Sequence, residues 1–218
     1  MIYYLSVAIM NQNINLKQSR VNHIICKSLK RAEDIVLSII ILTLISPIML
    51  IVAFGVKVTS PGPIIYRQTR VTLNNKNFDM FKFRSMPIDT EKNGVQWGAS
   101  KSKTNNKFSQ FIRALNLDEL PQFFNVLKGD MSIVGPRPER DIFIDKFAQK
   151  IPNYMDKHKV KAGITGWSQI NGWRGDTSLE KRIEFDLDYI NNWTLWFDIK
   201  IIFLTIFKGF IDKILINK

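Results

Sequence analysis

The order of hydrophobic and polar positions divides the chain into one long apolar segment and a mixed remainder. The segment from Ile35 to Val56 reads IVLSIIILTLISPIMLIVAFGV and contains no charged residue. Its length is close to the ~20 residues that an α-helix needs to cross the hydrocarbon core of a bilayer. Pro47 lies near its centre, where it removes a backbone donor and predicts a bend next to Ser46. We therefore expect a membrane helix over 35–56.

Basic residues flank both ends of this segment: Arg20, Lys27, Lys30 and Arg31 precede it, and Lys57, Arg67 and Arg70 follow it. A single spanning helix is expected to show a Lys and Arg bias toward one side, whereas a hairpin that returns to the same leaflet has basic residues at both ends. The pattern favours a re-entrant helix-break-helix, bent at Ser46 and Pro47, over a kinked spanning helix. Residues 1–29 are interpreted as an N-terminal arm, flexible or touching the membrane, and residues 30–218 as one domain.

Alternating apolar and polar positions then predict a β-hairpin. Ile64–Leu73 and Phe78–Met86 are rich in branched and aromatic residues and flank Asn74–Asn77, a turn signal because Asn tolerates positive φ. In the second strand Lys82 and Arg84 alternate with phenylalanines, so one face is cationic. A solvated strand face is the alternative to a functional one.

Helical and irregular segments follow the hairpin. Asp89–Lys107 and Lys161–Asp176 are polar or glycine-rich and predict loops, while helices are predicted over Phe108–Leu115 and from Ser178 to about Asn191. Trp193–Lys218 combines aromatic residues with lysines, which predicts an amphipathic helix at the membrane surface or one packed on the core. The expected fold class is α+β and mostly helical: a re-entrant membrane helix, a small β-hairpin and amphipathic interfacial helices in a monotopic membrane protein.

The amino-acid composition restricts the chemical class of binding partner that is expected. Lys and Arg number 31 against 19 Asp and Glu, a formal charge of +12, so an anionic partner is expected: nucleic acid, phospholipid or a phosphorylated small molecule. Because the positive charge flanks an apolar segment, the membrane surface is favoured over nucleic acid. A single cysteine, Cys26, excludes an internal disulfide, and two histidines do not make a structural zinc site. A reducing, cytoplasmic setting is predicted.

The stretch LNLDELPQ, residues 115–122, holds two adjacent acids, Asp118 and Glu119. Pro121 is tolerated only in the first turn of a helix, so the helix that follows is predicted to start near Asp118. The acids could cap that helix. Alternatively they carry out phosphate chemistry: neighbours on a helix point about 100° apart, so one could attack a phosphorus while the other holds Mg²⁺. A glycosidase pair needs carboxyl groups ~5 to 9.5 Å apart across a substrate, which adjacent residues supply poorly.

Arg137 lies between Pro136 and Pro138, which fix its backbone. That rigidity could aim its guanidinium at a phosphate, although a surface turn with an incidental arginine is the alternative. The chain contains the motifs KRAEDIVLS, SPGPIIYRQTRV, FKFRSM, LDELPQFFNVLKGDMSIVGPRPER, GITGWSQINGWRGDT and DYINNWTLWFDIKIIFLTIFKGF. Through these motifs it resembles the bacterial sugar transferases, the monotopic phosphoglycosyl transferases. The resemblance runs from Lys30 to Phe210 and is strongest to undecaprenyl-phosphate glucose phosphotransferases.

The resemblance implies a two-step transfer of hexose-1-phosphate at the cytoplasmic face of the bacterial inner membrane, as the first membrane step of exopolysaccharide or O-antigen assembly. Asp118 would attack the β-phosphate of a UDP-sugar, with glucose the expected sugar; UMP would leave, and undecaprenyl phosphate would accept the sugar phosphate. Glu119 would hold Mg²⁺. The residues implied in phosphate or nucleotide-sugar binding are Lys82, Arg84, Arg113, Arg137, Gln169 and Arg174.

The sequence departs from the family pattern in several places, among them Ala162, where relatives usually have proline, and one loop motif. Relatives usually carry Asp-Pro-Arg-Val-Thr before the helix that precedes the acid pair, where this chain has Ser102-Lys103-Thr104-Asn105-Asn106. That departure supports an alternative function, a non-catalytic membrane scaffold of a polysaccharide assembly complex; the same reaction with galactose or an N-acetylated sugar is a further alternative. Membrane lipid is an expected partner and nucleic acid is not. The oligomeric state is left open, with a homo-oligomer among the alternatives.

Overall fold

A long N-terminal helix packs with part of its length against a unit of short helices and strands. The computed structural model describes residues 2–87, 104, 106–175 and 177–216, with side chains described only between residues 26 and 208. In chain order the helices and strands are α1 (Ile2–Thr59), β1 (Ile65–Val71), β2 (Asn77–Phe83), α2 (Lys107–Ala114), α3 (Gln122–Lys128), β3 (Ser132–Val134), α4 (Asp141–Lys150), β4 (Gly163–Thr165), α5 (Trp167–Ile170), α6 (Leu179–Asn191) and α7 (Leu195–Ile216). Short 3₁₀ helices cover Leu73–Asn75, Leu117–Glu119 and Tyr154–Lys159.

The apolar segment forms part of α1, which is helical over 58 residues and runs through Pro47. The helix is therefore not interrupted at Ser46 and Pro47, and the bend expected there stays a prediction. Pro47 has no N–H to give to the Thr43 carbonyl, but the Ser46 hydroxyl donates to that carbonyl oxygen at 2.9 Å. Because the local side chain replaces the missing donor, the helix continues. The expected boundary between residues 1–29 and the rest stays a prediction, since α1 passes through it.

One face of α1 packs against the rest of the protein. Asp34, Ser38, Val52 and Val56 are buried and lie on one stripe of the helix. Much of the remaining surface is apolar yet exposed: Leu44 and Leu50 are each 72% exposed and Phe54 is 73% exposed, while Ile39, Ile40, Ile48 and Ile51 are between 45% and 68% exposed. Among the described residues, Cys26–Thr59 is the one helical segment long and apolar enough to cross a membrane. Apolar surface of this extent marks a membrane or protein contact.

Polar contacts attach the first part of α1. The Asp34 carboxylate accepts from the Ser132 hydroxyl and the Ile133 N–H, both at 2.9 Å, and the Lys30 ammonium lies 2.6 Å from the buried Asp198 carboxylate of α7. The Arg31 guanidinium donates to the Val126 and Leu127 carbonyls at the end of α3. These contacts fix the start of the apolar segment to the same unit that carries the acid pair.

Apolar contacts attach the second part of α1. Val52 and Val56 pack with Phe83 of β2 and Ile112 of α2 in one core cluster. Gly55 is needed for this approach, because a Cβ atom there would lie 2.2 Å from the ring of Phe108. Both ends of the apolar segment therefore contact one folded unit.

The predicted hairpin is confirmed. β1 and β2 pair antiparallel from Ile65 opposite Phe83 to Val71 opposite Asn77. Asn74 and Asn75 take positive φ values of 56° and 59° in the turn, the conformation that favours Asn over most residues. A second, two-stranded sheet was not predicted. Its strands β3 and β4 are parallel, with Ser132 opposite Gly163 and Val134 opposite Thr165.

The glycine-rich stretch Lys161–Asp176, predicted as a loop, contains β4 and α5. Strands of three residues carry no readable alternation, so periodicity could not predict them. Gly163 allows the backbones of these two segments to approach closely, because a Cβ atom at this position would lie 2.1 Å from the backbone nitrogen of Gly135. The turn containing Arg137 is irregular, as predicted, and begins directly after β3.

The predicted helices α2, α6 and α7 are confirmed. One side of α7 packs on the core, since Ile201 and Asp198 are fully buried, whereas Trp196 is 74% exposed and Ile206 is 66% exposed. Its position at the membrane surface stays a prediction. Most of the predicted loop Asp89–Lys107 lies outside the described residues. Of its C-terminal end, Asn106 caps α2 by accepting from the Phe108 and Ser109 N–H groups, and Lys107 begins that helix.

Candidate active site

The two adjacent acids lie in the 3₁₀ helix Leu117–Glu119, just before α3. The predicted helix start at Asp118 is thus displaced, since α3 begins at Gln122 with Pro121 as its N-cap residue. Neither helix start has a side-chain capping hydrogen bond, and the residue before the 3₁₀ helix is Asn116 in the left-handed region. The capping interpretation of the acid pair is therefore wrong, and both carboxylates bond to side chains of other elements.

Glu119 is held by two cations. Its Oε1 atom accepts from the Lys82 ammonium at 2.8 Å and from Nη2 of Arg137 at 2.8 Å. Burial alone would raise the pKa of Glu119, but the Arg137 guanidinium and the Lys82 ammonium outweigh burial and hold that pKa well below its ordinary value. The Glu119 charge in turn raises the pKa of Arg137. Glu119 is therefore ionised and holds the Lys82 and Arg137 side chains at one point.

Asp118 has a different environment. Its described hydrogen bond comes from the Ser85 hydroxyl, which lies 3.3 Å from Oδ2. Burial raises the pKa of Asp118 above its ordinary value; Lys82 opposes this shift, and the neighbouring Glu119 charge adds to it. A carboxylate that is poorly solvated and has one hydrogen bond from the described part of the chain keeps an oxygen available for attack on an electrophile. The adjacent acids thus have separate partners, as their divergent directions predicted.

Rigid backbone brings Lys82 and Arg137 together. Lys82 lies on β2, whose backbone is joined to α3 by Asn125: this amide donates to the Asp79 carbonyl at 2.7 Å and accepts from the Phe81 N–H at 2.9 Å. Asn125 is fully buried. The acid pair precedes α3 by only a few residues, so the same side chain sets the spacing between β2 and Glu119.

Arg137 reaches the pair from the turn between two prolines. Its Nη2 atom bonds Glu119, and its Nη1 atom donates to the Gln169 side-chain oxygen at 3.1 Å. The prediction that Lys82, Arg137 and Gln169 lie at one site agrees with this geometry. Arg113, in the last turn of α2, is close enough to Asp118 to lower its pKa.

Two of the implied binding residues are not brought to the pair. Arg84 is 4% exposed and donates to the Ser60 carbonyl at 2.6 Å, while its Nε and Nη1 atoms are buried without a hydrogen-bond partner. Successive residues of an extended chain point to opposite sides, so Ser85 rather than Arg84 faces Asp118. Arg174 is exposed, in a turn whose described hydrogen bonds are made by its backbone.

Sequence reasoning missed two residues of the site. Ser85 contacts Asp118, and its position inside the FKFRSM motif was the available signal. Lys157 donates to the Arg137 carbonyl at 3.0 Å. Lys157 follows no motif in the sequence, and only the fold brings it behind Arg137.

The acid pair has oxygen ligands of the kind that Mg²⁺ prefers. In phosphate sites this ion takes one or two carboxylates and completes its shell with substrate oxygens and water. Asp118 and Glu119 supply two such groups on one turn. Glu119 Oε1 is already bonded to Lys82 and Arg137, so Glu119 Oε2 and the Asp118 carboxylate are the oxygens left for a metal. In the part of the chain that the structure describes, no group of three or more His, Cys, Asp or Glu side chains is arranged to hold a metal ion. The residues fit an ion that is held jointly with a phosphorylated substrate.

The fold and the site together define a class: a protein with an exposed apolar helix and a pair of adjacent acids that lies beside several cationic side chains. The family model for the bacterial sugar transferases matches residues 25–212. The chain therefore belongs to the bacterial sugar transferase family.

Several relatives are named as enzymes that act on undecaprenyl phosphate, and another is named only as an uncharacterized sugar transferase. The chain is 53% identical over 189 residues to a UDP-glucose:undecaprenyl-phosphate glucose-1-phosphate transferase of Escherichia coli, a match that covers 85% of this chain and 41% of the relative. It is 45% identical over 180 residues to a UDP-N-acetylgalactosamine-undecaprenyl-phosphate N-acetylgalactosaminephosphotransferase of Aeromonas hydrophila, covering 82% and 43%. It is 38% identical to the sugar transferase EpsL of Bacillus subtilis, covering 85% and 89%. The chain thus spans about two fifths of the length of the first two relatives.

Proposed function

We propose that this protein transfers hexose-1-phosphate from a UDP-sugar to undecaprenyl phosphate and releases UMP. The observation that carries the proposal is the division of partners within the acid pair: Glu119 holds Lys82 and Arg137, while Asp118 keeps carboxylate oxygen outside those bonds. Phosphoryl transfer depends mostly on positioning and on neutralising charge. The names of the relatives support the same reaction.

In the first step an Asp118 oxygen forms a bond to the β-phosphorus of the UDP-sugar, and the bond between that phosphorus and the bridging oxygen breaks. UMP leaves with the electron pair of the broken bond. Lys82 and Arg137, already gathered at Glu119, lie where they can offset the charge on the phosphate oxygens. In the second step an oxygen of undecaprenyl phosphate attacks the same phosphorus, which frees Asp118.

Mg²⁺ is the proposed cofactor. When bound, it would neutralise charge on the diphosphate and favour departure of UMP. Glu119 Oε2 and Asp118 are the oxygens that would hold it, consistent with the fit described above. Glu119 remains ionised across the ordinary pH range because its pKa is lowered, so a ligand oxygen is always available on that side.

Glucose is the proposed sugar. The relatives named for glucose transfer include the two highest identities, 53% and 52%, but extend down to 37%, while those named for N-acetylgalactosamine and galactose transfer are 45% and 40% identical. The difference is small, so UDP-glucose, UDP-galactose and UDP-N-acetylgalactosamine belong in the same assay.

The membrane arrangement is proposed to be monotopic, with the acid pair on the cytoplasmic side of the inner membrane. A spanning helix would place its ends on opposite sides of the bilayer. Here Lys30 and Asp34 contact α7 and β3, while Val52 and Val56 contact β2 and α2 of the same unit. Because one polar unit cannot lie on both sides, these contacts favour an α1 that enters one leaflet together with the exposed face of α7.

The test measures UMP release by the detergent-solubilised protein with Mg²⁺. We expect Asp118→Asn to reduce release by at least about a thousandfold, because an amide is not a nucleophile for this step. Asp145→Asn, at an exposed carboxylate of α4, is the matched control and should keep full activity. With UDP-glucose and no acceptor, mass spectrometry of the wild type should show one hexose phosphate on the peptide that contains Asp118.

Full activity in Asp118→Asn would refute the nucleophile. A folded wild-type protein that releases no UMP from any of the three nucleotides would contradict the reaction itself and favour the scaffold alternative.

A further inference from the structure

The backbone around Arg137 is fixed by hydrogen bonds to successive carbonyl groups. Four successive carbonyl oxygens, those of Pro136, Arg137, Pro138 and Glu139, accept hydrogen bonds from four different residues. The donors are Gly163 N at 2.9 Å, the Lys157 ammonium at 3.0 Å, Nη1 of Arg70 at 3.0 Å and Val71 N at 3.0 Å.

The two prolines beside Arg137 limit how this backbone can form hydrogen bonds. Pro136 and Pro138 have no N–H, so this stretch can be anchored mainly through its oxygen atoms. Lys157 is the residue that donates to the carbonyl oxygen of Arg137 itself. A small rotation of that unit would swing the long Arg137 side chain away from Glu119.

A lysine at position 157 is not expected to make the folded protein more stable than an apolar side chain of similar size would. Lys157 is 2% exposed, and its closest carboxylate, that of Asp186, lies 3.8 Å away. Asp186 is buried too and accepts from the Ser168 hydroxyl at 2.6 Å. Replacing a buried ion pair by apolar residues of similar volume is often neutral or stabilising. A methionine-like side chain would fill the same space at lower desolvation cost, but it could not bond the Arg137 carbonyl.

We propose that Lys157 is a positioning residue for the transfer reaction, which orients Arg137 by bonding its carbonyl from behind the site. The proposal rests on the proposed function and deepens it. Lys157 does not need to touch the substrate. Its effect passes through the Arg137 peptide, so its loss should matter only while Arg137 is present to be oriented.

The experiment is a double-mutant cycle on kcat/KM for UDP-glucose, or for whichever of the three nucleotides the wild type turns over. Lys157→Met is combined with Asp186→Asn, so that no unpaired buried carboxylate remains. We expect this pair of changes to lower kcat/KM by about tenfold to a hundredfold in the wild-type background. In the Arg137→Lys background, which already lacks the oriented guanidinium, the same changes should cause little further loss.

Two controls separate positioning from folding. Lys159→Met, on the same 3₁₀ helix with a side chain 66% exposed, should leave kcat/KM and Tm unchanged. The Tm of the Lys157→Met/Asp186→Asn protein should stay close to that of the wild type. Equal losses in both backgrounds, a loss that follows a large fall in Tm, or no loss at all would each overturn the positioning role. If the wild type and Lys159→Met release UMP, these outcomes leave the proposed function standing; if neither does, both proposals fall.

Discussion

At the scale of single residues, the acid pair shows how two neighbours of the same charge acquire different chemistry. Glu119 and Asp118 are both poorly solvated, yet the first has two cations at 2.8 Å and the second has a hydroxyl at 3.3 Å. The pKa shifts take opposite directions for this reason. Motif reasoning could predict that the two acids divide labour. It could not predict Ser85 or Lys157, because those contacts depend on the path of the backbone.

Glu119→Gln tests the ion pairs at this scale. The pKa of Glu119 is lowered in the folded state, so its charge stabilises the fold above the unfolded value of about 4.3, and this contribution is lost as pH falls toward the folded value. At pH 7 we expect the variant to lose roughly 1–3 kcal/mol of stability, because two cations keep no anionic partner. The difference in Tm between wild type and variant should shrink as pH is lowered below about 4.5.

Glu184→Gln is the matched control. Glu184 pairs with Lys181 at 2.8 Å on the surface of α6, with side chains 62% and 52% exposed, and exposed pairs contribute little to stability. Its Tm should follow the wild type at every pH. A Glu119→Gln protein whose Tm deficit is the same at pH 7 and pH 3.5 would contradict the assigned ion pairs.

At the scale of elements, the sequence predicted strands that are long enough to show alternating apolar and polar residues. It did not predict strands whose pairing depends on close contact between backbone atoms. The hairpin has seven paired positions, long enough for alternation to be read. β3 and β4 have three residues each, and their pairing depends on backbone contact at Gly163. The helix continues through Pro47, where a break was predicted, because a hydroxyl one residue away replaces the lost donor.

Gly163→Ala tests the contact between β3 and β4. A Cβ atom at this position would lie 2.1 Å from the backbone nitrogen of Gly135 and 2.4 Å from the Thr165 carbonyl oxygen. Backbone cannot move aside as a flexible side chain can, so we expect a loss of at least about 2 kcal/mol in the free energy of unfolding. UMP release should fall as well, because Gly163 N also bonds the Pro136 carbonyl next to Arg137.

Gly172→Asn is the comparison variant. Gly172 has a φ of +87°, and nothing lies within 4 Å of an added Cβ atom; Asn tolerates positive φ better than most residues. Its Tm should change far less than that of Gly163→Ala. Equal Tm values for the wild type and Gly163→Ala would show that the two short strands do not approach as closely as described.

At the scale of the whole molecule, the exposed apolar face of α1 and the attachment of both its ends to one unit have to be reconciled. The segment Cys26–Thr59 has 34 residues, about 50 Å at 1.5 Å per residue, longer than the ~30 Å hydrocarbon core. Length alone would permit a spanning helix. The contacts of Lys30 and Arg31 at one end and of Val56 at the other forbid it unless the domain detaches from one of them.

The chain carries its own probe of this arrangement. Cys26, the single cysteine, is exposed at the start of the apolar segment. In intact spheroplasts a membrane-impermeant maleimide should leave Cys26 unlabelled, and it should label Cys26 after permeabilisation, because a monotopic α1 keeps that end in the cytoplasm. The reference is Cys26→Ser combined with Lys181→Cys, which places the thiol on α6 of the catalytic unit, at a lysine whose side chain is 52% exposed. Both thiols should show the same protection. Labelling of Cys26 in intact spheroplasts while position 181 stays protected would mean that α1 spans the membrane, and the attachment of Lys30 to Asp198 would then have to be broken in the cell.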